Sequence, residues 1–342
     1  MNKRNWMITG GCGFIGTRLV SALKTRDVGG IRIVDNLAVG TQADLSCVTE
    51  FDVLDPRMED YPRSNRQVQL LVADINDSDT MLRAARGQHV VVHLAANAGV
   101  AQSVENPRMD CTTNVFGTLN MLEAARQAKA ERFIFASSGA PIGEAEPPIH
   151  EELAAHPASP YGASKLAGEG YCSAYARTFG LETVALRFGN VYGPGSGHKN
   201  SVVAKFIRDV MTTGILQIYG TGNQTRDFIF IDDLVEAVML AANAPEVGGE
   251  VFQIATERET TVSEIAELVS SIMSKFGYSA PKLEYSEARL GDVKRNFSDT
   301  TKARQRLGWQ SKTSLDRGIE ATVRWFASSA EASGIGVSVK NG

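Results

Sequence analysis

The sequence predicts an α/β fold in which a parallel, doubly wound sheet is joined to a smaller C-terminal α/β lobe. Short and almost entirely apolar runs alternate with helical patterns through the first half of the 342 residues, as is typical of parallel strands covered on both faces. A glycine-rich segment stands between the first apolar run and the first helical pattern. After about Phe188 the alternation loosens, and turns rich in Gly and Pro interrupt it. We therefore expect a sheet domain over residues 1–187, to which segments of about 226–260 return, and a second lobe mainly over 188–326.

Apolar runs and helical periodicity place the individual elements. The strands are predicted at about residues 5–9, 31–35, 68–74, 90–95, 132–138, 182–187 and 251–255. The helices are predicted at about residues 14–25, 110–128, 161–179, 202–213, 232–243 and 263–277. The last strand is expected to return to the main sheet, and Thr261 with Glu264 is typical of a capped helix start. The small, polar segment 327–342 is predicted to be disordered.

Composition argues against several classes of function. The net charge of −4 gives no electrostatic reason to expect nucleic acid or an anionic membrane as a partner. No apolar stretch reaches the roughly 18 residues that a membrane-spanning helix needs, and we recognise no signal peptide. The four cysteines show no CxxC or Cys/His spacing. We therefore expect neither a metal site nor a disulfide framework, and a reducing cytoplasm fits this pattern.

The glycine-rich segment has the spacing GxxGxxG, formed by Gly10, Gly13 and Gly16. It follows a predicted strand and opens an apolar-striped helix, which is the context that a dinucleotide-binding turn requires. The glycines permit a tight turn and a close approach of a diphosphate. The first helical residues, Phe14 and Ile15, add free N–H groups and the positive end of the helix dipole. The pattern predicts a dinucleotide site, the alternative being a βα turn that holds no ligand.

Residues at the ends of the following strands extend this site. Asp35 ends the second strand, and a carboxylate there accepts both ribose hydroxyls and repels a 2′-phosphate, which favours NAD over NADP. Asp74 and Ile75 end the third strand and are expected near the adenine. Ala95 and Ala96 end the fourth strand and are small enough to let the cofactor cross the sheet edge. Turn capping and tight packing are the alternatives for these positions.

Tyr161 and Lys165 are one helical turn apart and so share a face of their helix. A phenol with a pKa of about 10 is a poor base at neutral pH, but a nearby ammonium and the positive ring of NAD⁺ favour the phenolate. Tyr161 is therefore predicted to be the general base for a substrate hydroxyl, and Lys165 is also predicted to hold the nicotinamide ribose. Ser138 ends the fifth strand and is predicted to hydrogen-bond the oxygen that alternates between alcohol and carbonyl. Ser137 is assigned to the cofactor, with a structural hydroxyl as the alternative.

Taken together, these motifs closely resemble the extended short-chain dehydrogenase/reductase family, in its nucleotide-sugar epimerase/dehydratase branch. The matching segments are residues 9–16, 35–36, 93–96, 114–118, 137–138, 161–165, 187–194, 225–228 and 289–292. The resemblance covers about residues 6–326. It implies NAD as cofactor, with Asn36 and Asn114 as further cofactor contacts. It also implies a UDP-sugar as substrate and a homodimer that pairs through the helices at about 110–128 and 161–179.

The same resemblance implies substrate contacts in the C-terminal lobe. Asn190 is implied at the sugar diphosphate, and Gln217 and Tyr219 beside the base. Arg226 and Arg289 are implied around the diphosphate, and Asp292 is implied either to contact the nucleotide ribose or to order the surrounding loop. In a chain of net negative charge, two arginines directed at phosphates supply the positive charge locally. Surface ion pairs and core packing are the alternatives for these residues.

The residues that follow Ser138 narrow the reaction. Related dehydratases and decarboxylases carry acidic residues at this point, whereas this chain has Gly139 and Ala140, which cannot transfer a proton. We therefore predict inversion at C4 of a UDP-sugar through a transient 4-keto sugar. Dehydration, decarboxylation or epimerisation at another carbon are the enzymatic alternatives, and a non-catalytic NAD-sensing protein is an alternative of another class. Asn296, at a position that gates sugar size in hexose epimerases, and Gln102 are further candidates for sugar contacts.

Overall fold

The computed structural model describes residues 3–62, 68–287 and 294–332. Within these residues the strands are β1 (Trp6–Thr9), β2 (Ile31–Asp35), β3 (Asp52–Leu54), β4 (Val68–Val72), β5 (Val90–His93), β6 (Arg132–Ser138), β7 (Thr183–Phe188), β8 (Asn190–Tyr192), β9 (Ile215–Tyr219), β10 (Thr225–Arg226), β11 (Phe228–Phe230), β12 (Glu250–Ile254), β13 (Thr260–Thr261) and β14 (Lys282–Ser286). The helices are α1 (Phe14–Lys24), α2 (Gln42–Ser46), α3 (Ser78–Ala85), α4 (Val100–Glu105), α5 (Pro107–Cys111), α6 (Gly117–Gln127), α7 (Pro160–Phe179), α8 (Val202–Thr212), α9 (Ile231–Ala241), α10 (Val262–Lys275), α11 (Thr301–Leu307) and α12 (Leu315–Ala332).

The main sheet has eight strands in the order β12-β7-β6-β5-β1-β2-β4-β3, and all neighbouring strands run parallel. The chain first builds from β1 toward β3 and then crosses back to build the other half from β5. The strand order therefore reverses between β1 and β5, which is where open parallel sheets bind ligands, at the carboxyl ends of their strands. The predicted Rossmann-like, doubly wound fold is confirmed.

Alternate residues of each strand pack on opposite faces of the sheet. Ile8 and Ile33 belong to a core that continues into α1, α9 and the C-terminal lobe. Their sequence neighbours Met7 and Val34 belong to a second core, beneath α3, α6 and α7. Because both faces are buried, neither face selects polar residues, and the strands are continuous apolar runs in the sequence.

The C-terminal lobe is built on the parallel pair β9 and β14, with α8 and α10 packed beside it. A capping box between Thr261 and Glu264 begins α10, as the sequence predicted. β12 returns to the main sheet beside β7, again as predicted. The division of the chain into two domains stays a prediction.

The structure differs from the sequence predictions in several places. The helix predicted at 110–128 is interrupted: a π-helical turn, Thr112–Phe116, joins α5 to α6. The edge strand β3 was not predicted, because it has only three residues and Val53 in its centre is exposed. The prediction that 327–342 is disordered is wrong for residues 327–332, where α12 continues from a face that buries Ile319 and Val323; residues 333–342 lie outside the described part of the chain. Among the helices of residues 3–62, 68–287 and 294–332, none has the length and apolarity needed to cross a membrane.

Candidate active site

The glycine-rich turn between β1 and α1 is required by the chain's own close packing. Gly10 has a φ of +70°, and a Cβ there would lie 2.8 Å from the backbone nitrogen of Ala95. A Cβ on Gly16 would lie 2.3 Å from the Gly10 carbonyl oxygen. Gly13, by contrast, would place a Cβ near only that same oxygen, at 3.3 Å. The turn therefore closes tightly at Gly10 and Gly16 and leaves space at Gly13, next to the start of α1.

The N-terminus of α1 is suited to an anion. Gly13 caps it without any side-chain hydrogen bond, and no acidic side chain lies in its first turn. The first N–H groups of the helix, at Phe14 and Ile15, have no partner within the helix and carry its positive dipole end. The residues present therefore fit the diphosphate of a dinucleotide.

Asp35 is held at the carboxyl end of β2, next to this turn. Its carboxylate accepts hydrogen bonds from the backbone nitrogens of Cys12 and Leu37, both at 2.9 Å. Burial raises the pKa of Asp35, and these two backbone hydrogen bonds act in the opposite direction. Each carboxylate oxygen can accept a further hydrogen bond, so the anchored group is able to bind ribose hydroxyls.

The remaining predicted residues of this region lie along the same sheet edge. The Asn36 amide donates to Asp74 at 3.1 Å and links the ends of β2 and β4. Ile75 is buried against α6, where a Cβ on Gly117 would come within 2.5 Å of its side chain. The backbone nitrogen of Ala95 donates to the Thr9 hydroxyl at 3.2 Å, which places Ala95 and Ala96 across from the glycine-rich turn.

Tyr161, Lys165 and Ser138 converge at the carboxyl end of β6. α7 begins with Ser159, whose hydroxyl accepts a hydrogen bond from the Gly162 nitrogen, and this start places Tyr161 in the first turn. Ser138, the last residue of β6, hydrogen-bonds the Tyr161 phenol. The Lys165 ammonium donates to the carbonyl oxygen of Ala136 at 2.8 Å and lies 5.9 Å from the centre of the Tyr161 ring.

Burial shifts the pKa values of both groups against their charged forms. It raises the pKa of Tyr161 to about 12, opposed by the Ser138 hydrogen bond, and a charge on Asp110 raises it further. Burial lowers the pKa of Lys165 to about 8, and the same carboxylate opposes that shift. The Tyr161 phenolate therefore needs positive charge nearby in order to form at neutral pH.

Asp110 was missed by the sequence analysis, because no motif marks it. It is 1% exposed and accepts a hydrogen bond from the Asn114 amide at 2.8 Å. Its carboxylate acts electrostatically on both Tyr161 and Lys165. The one signal in the sequence was that Asp110 precedes Asn114 by four residues, which puts the two on one helix face. Only the packing of α5 against α7 brings that face close to Tyr161 and Lys165.

Two residues assigned to the cofactor have their side chains engaged elsewhere. The Asn114 amide exchanges hydrogen bonds with the backbone of Asn97 at 2.8 and 3.0 Å and also donates to Ser164. The Ser137 hydroxyl donates to Glu169 at 2.5 Å. Both residues are buried. The two side chains hold the loop after β5 and the end of β6 in place, and their polar atoms are already hydrogen-bonded within the protein. Their assignment to the cofactor stays a prediction.

Four predicted substrate residues of the C-terminal lobe line one cavity of about 280 Å³, namely Asn190, Gln217, Tyr219 and Arg226. The Tyr219 hydroxyl donates to Gln217 at 3.1 Å, and the Gln217 amide donates to Ser286 at 2.9 Å, which fixes both side chains on the β9–β14 sheet. Arg289 and Asp292 lie outside the described residues.

The cavity also contains residues that the sequence analysis did not identify. Asn200, Ser201 and the first residues of α8 also line it, as does Gln224, whose amide donates to the Tyr219 carbonyl oxygen at 2.7 Å. The Gly- and Pro-rich turn after β8, followed by a helix start, was the signal that could have indicated them. Polar walls joined to apolar ones from Val202 and Phe206 suit a ligand with both a planar base and charged groups.

The two remaining sugar candidates differ in position. A Cβ on Gly139 would lie 3.9 Å from the Asn296 amide nitrogen, so Asn296 borders the residue that follows Ser138. Gln102 is exposed on α4, and its side-chain oxygen lies over Gly99. The structure thus places Asn296 beside Gly139, whereas Gln102 lies on the exposed side of α4.

Comparison with known proteins agrees with this geometry. Residues 6–255 match the NAD dependent epimerase/dehydratase family. The UDP-glucose 4-epimerase of Mycolicibacterium smegmatis is 34% identical over 330 residues, which cover 95% of this chain and 99% of that protein. The solved UDP-glucose 4-epimerase of Thermotoga maritima with UDP-glucose is similar at a TM-score of 0.83 and 35% identity, over 95% of this chain and 99% of that one. The Thermus thermophilus UDP-glucose 4-epimerase in complex with NAD has a TM-score of 0.82 and 32% identity, over 94% of this chain and 99% of that one.

The similarity extends over nearly the whole chain, and the family match over residues 6–255 includes both the glycine-rich turn and Ser138 at the end of β6. Each of the three proteins is covered almost completely, so the likeness is not confined to one domain. The chain therefore belongs to the NAD dependent epimerase/dehydratase family, among the extended short-chain dehydrogenases that act on nucleotide sugars.

Proposed function

We propose that this protein inverts C4 of a UDP-sugar through a transient 4-keto sugar. The observation that carries the proposal is the composition of the strand end at Ser138. Gly139 and Ala140 follow it, and a Cβ at Gly139 would meet the Asn296 amide, which is uncharged. Elimination of water needs an acid and a base at adjacent carbons, and the position that supplies them in related dehydratases holds no titratable group here.

Tyr161, Ser138 and Lys165 each have a separate role in the proposed reaction. Tyr161 takes the proton of the substrate hydroxyl and later returns it to the same oxygen. Ser138 hydrogen-bonds the phenol and so lowers the pKa of Tyr161. Lys165 places its ammonium beside the phenol ring. When bound, NAD supplies the hydride acceptor and donor that this chemistry requires. His93, at the end of β5, does not compete as an acid, because burial lowers its pKa to about 3 and keeps it neutral.

Binding roles follow from the two sites. We propose that the turn at Gly10, Gly13 and Gly16 and the Asp35 carboxylate hold NAD. The UDP portion is proposed to occupy the cavity lined by Gln217, Tyr219, Arg226 and Asn190. The solved relative from Thermotoga maritima contains UDP-glucose, which supports a uridine nucleotide here. The sugar would then extend toward Ser138.

We further propose a homodimer that pairs through the helices at about 110–128 and 161–179. Met109, Phe116, Tyr171 and Phe179 are large apolar side chains exposed on α5, the π-helical turn and α7. Exposed apolar groups that cluster on adjacent elements are typical of an interface. We also propose a cytoplasmic location, which agrees with the four free thiols of the chain.

Product analysis tests the reaction. The protein is incubated separately with UDP-glucose, UDP-galactose, their N-acetyl forms and UDP-glucuronate, and products are followed by NMR. We expect the C4 epimer of at least one substrate. Release of water or carbon dioxide, or inversion at C2 alone, would overturn the proposal.

A pair of variants tests the base. Tyr161→Phe removes the phenol hydroxyl and is expected to lower kcat by about 100-fold or more, the usual contribution of a general base. Tyr61→Phe is the matched control, because its hydroxyl donates to the Pro56 carbonyl oxygen at 3.0 Å, at the far edge of the sheet from Tyr161. Full activity in Tyr161→Phe would refute the assigned base.

A further inference from the structure

The loop between β8 and α8, residues 193–201, lies beside the first residue of α1, where the glycine-rich turn ends. A Cβ on Gly195 would lie 3.5 Å from the Phe14 ring, and Phe14 is the first residue of α1. Farther along the loop, the His198 imidazole lies 3.7 Å from the Asp44 carboxylate of α2. The loop therefore passes beside the N-terminus of α1, although about 180 residues separate the two in sequence.

Lys199 brings a cation to this place. Its ammonium lies 5.0 Å from the centre of the Phe14 ring. Burial lowers the pKa of Lys199 to about 8, and within the described residues no carboxylate forms an ion pair with it. A partly buried ammonium without an anion is unfavourable, and the first turn of α1 supplies no acidic side chain.

Ser196 adds a second group without a partner. It is 1% exposed, and its hydroxyl makes no hydrogen bond in the described part of the chain. The backbone nitrogen of Lys199 donates to the Ser196 carbonyl oxygen at 3.0 Å, so both residues belong to one turn. A buried hydroxyl left without a partner costs free energy unless a ligand completes it.

We propose that Lys199 is a diphosphate-binding residue that pairs with the diphosphate of NAD at the N-terminus of α1, with the Ser196 hydroxyl as a second donor. In this arrangement the N-terminus of α1 supplies backbone N–H groups, and the β8–α8 loop supplies the positive charge of the Lys199 ammonium. The inference rests on the NAD dependence of the family and not on which carbon reacts, so it can fail independently of the proposed C4 inversion.

A second diphosphate lies nearby in the proposed complex. Asn200, the next residue, already lines the cavity assigned to UDP. The contact of Lys199 with Phe14, rather than with a cavity residue, favours the dinucleotide. The test must therefore measure binding of both nucleotides.

Lys199→Met keeps an unbranched stem and removes the charge. Lys302→Met is a matched control, because the Lys302 ammonium also lies over a ring, 5.1 Å from that of Phe252, but it pairs with Glu250 at 2.7 Å. Nucleotide-stripped protein is titrated calorimetrically with NAD and, separately, with UDP. Retention of NAD through purification is a second readout. We expect Lys199→Met to weaken NAD binding by about 10- to 100-fold, the value of a charge-assisted hydrogen bond.

The proposal is supported only by one pattern: NAD affinity falls at least tenfold in Lys199→Met, UDP affinity stays within about twofold, and Lys199→Arg and Lys302→Met stay near wild type. A loss of UDP affinity with unchanged NAD affinity assigns Lys199 to the substrate diphosphate and overturns the proposal. So does unchanged binding of both nucleotides, or an equal loss of both, which would indicate a damaged loop. Ser196→Ala is expected to weaken NAD binding a few-fold, and no change there would remove Ser196 from the proposal.

Discussion

Glu169→Gln is expected to reduce the free energy of unfolding by about 3–5 kcal/mol, the usual cost of breaking a buried ion pair. Glu169 accepts hydrogen bonds from Nε and Nη2 of Arg187 at 2.8 and 2.7 Å, and from Ser137 at 2.5 Å. Both charged side chains are nearly inaccessible, at 5% for Arg187 and 4% for Glu169. The amide keeps the shape of the carboxylate, but it leaves a buried guanidinium without a negative partner. Because domains are stable by only about 5–15 kcal/mol, the loss should be large.

Urea unfolding at a fixed NAD concentration, followed by circular dichroism, measures this loss. Glu320→Gln is the matched control, because Glu320 pairs with Arg324 on an exposed face of α12, where the side chains are 52% and 68% accessible. Its expected effect is below about 0.5 kcal/mol. The double replacement Glu169→Leu with Arg187→Met should recover most of the stability, since it leaves no unpaired charge. A Glu169→Gln protein within about 1 kcal/mol of wild type would refute this reasoning.

Three further outcomes are expected. Gly16→Ala places a Cβ 2.3 Å from a backbone oxygen of the turn and should lower both the bound-NAD content and the Tm. Gly170→Ala is the control: a Cβ there meets no atom within 4 Å beyond its own helix, so the change should stabilise the protein by about 0.5–1 kcal/mol. Equal NAD content and Tm in the two variants would contradict this. The Asp110 carboxylate raises the pKa values of Tyr161 and Lys165. If these two residues set the limbs of the kcat/KM–pH profile, as proposed, Asp110→Asn should move both limbs to lower pH, and a shift upward would exclude this role. If the exposed helix face is the dimer interface, Phe116→Glu should give a monomer in light scattering. Leu283→Glu, at an exposed position on β14, should leave the oligomeric state unchanged. A dimeric Phe116→Glu protein would exclude this face as the interface.

The sequence alone determined the parts of this protein that are written in neighbouring residues. The parallel strands could be predicted because burial on both faces makes them continuous apolar runs, and β3 could not, because it is short and exposed at Val53. The GxxGxxG turn could be predicted because a tight βα turn requires glycine at Gly10 and Gly16. The pair Tyr161 and Lys165 could be predicted because a helix brings residues four apart onto one face.

Which residues distant in sequence share a site depends on the tertiary structure, and local sequence patterns do not contain that information. Ser137 and Asn114 occupy motif positions, yet their hydrogen bonds go to Glu169 and Asn97. Asp110 lies near Tyr161 and Lys165 only because α5 packs on α7. Lys199 contacts Phe14, at the end of the glycine-rich turn, only because the β8–α8 loop folds back on it. A local pattern records the preferences of one segment of chain, whereas charge, burial and hydrogen bonding at a site are sums over segments that meet only when the chain folds.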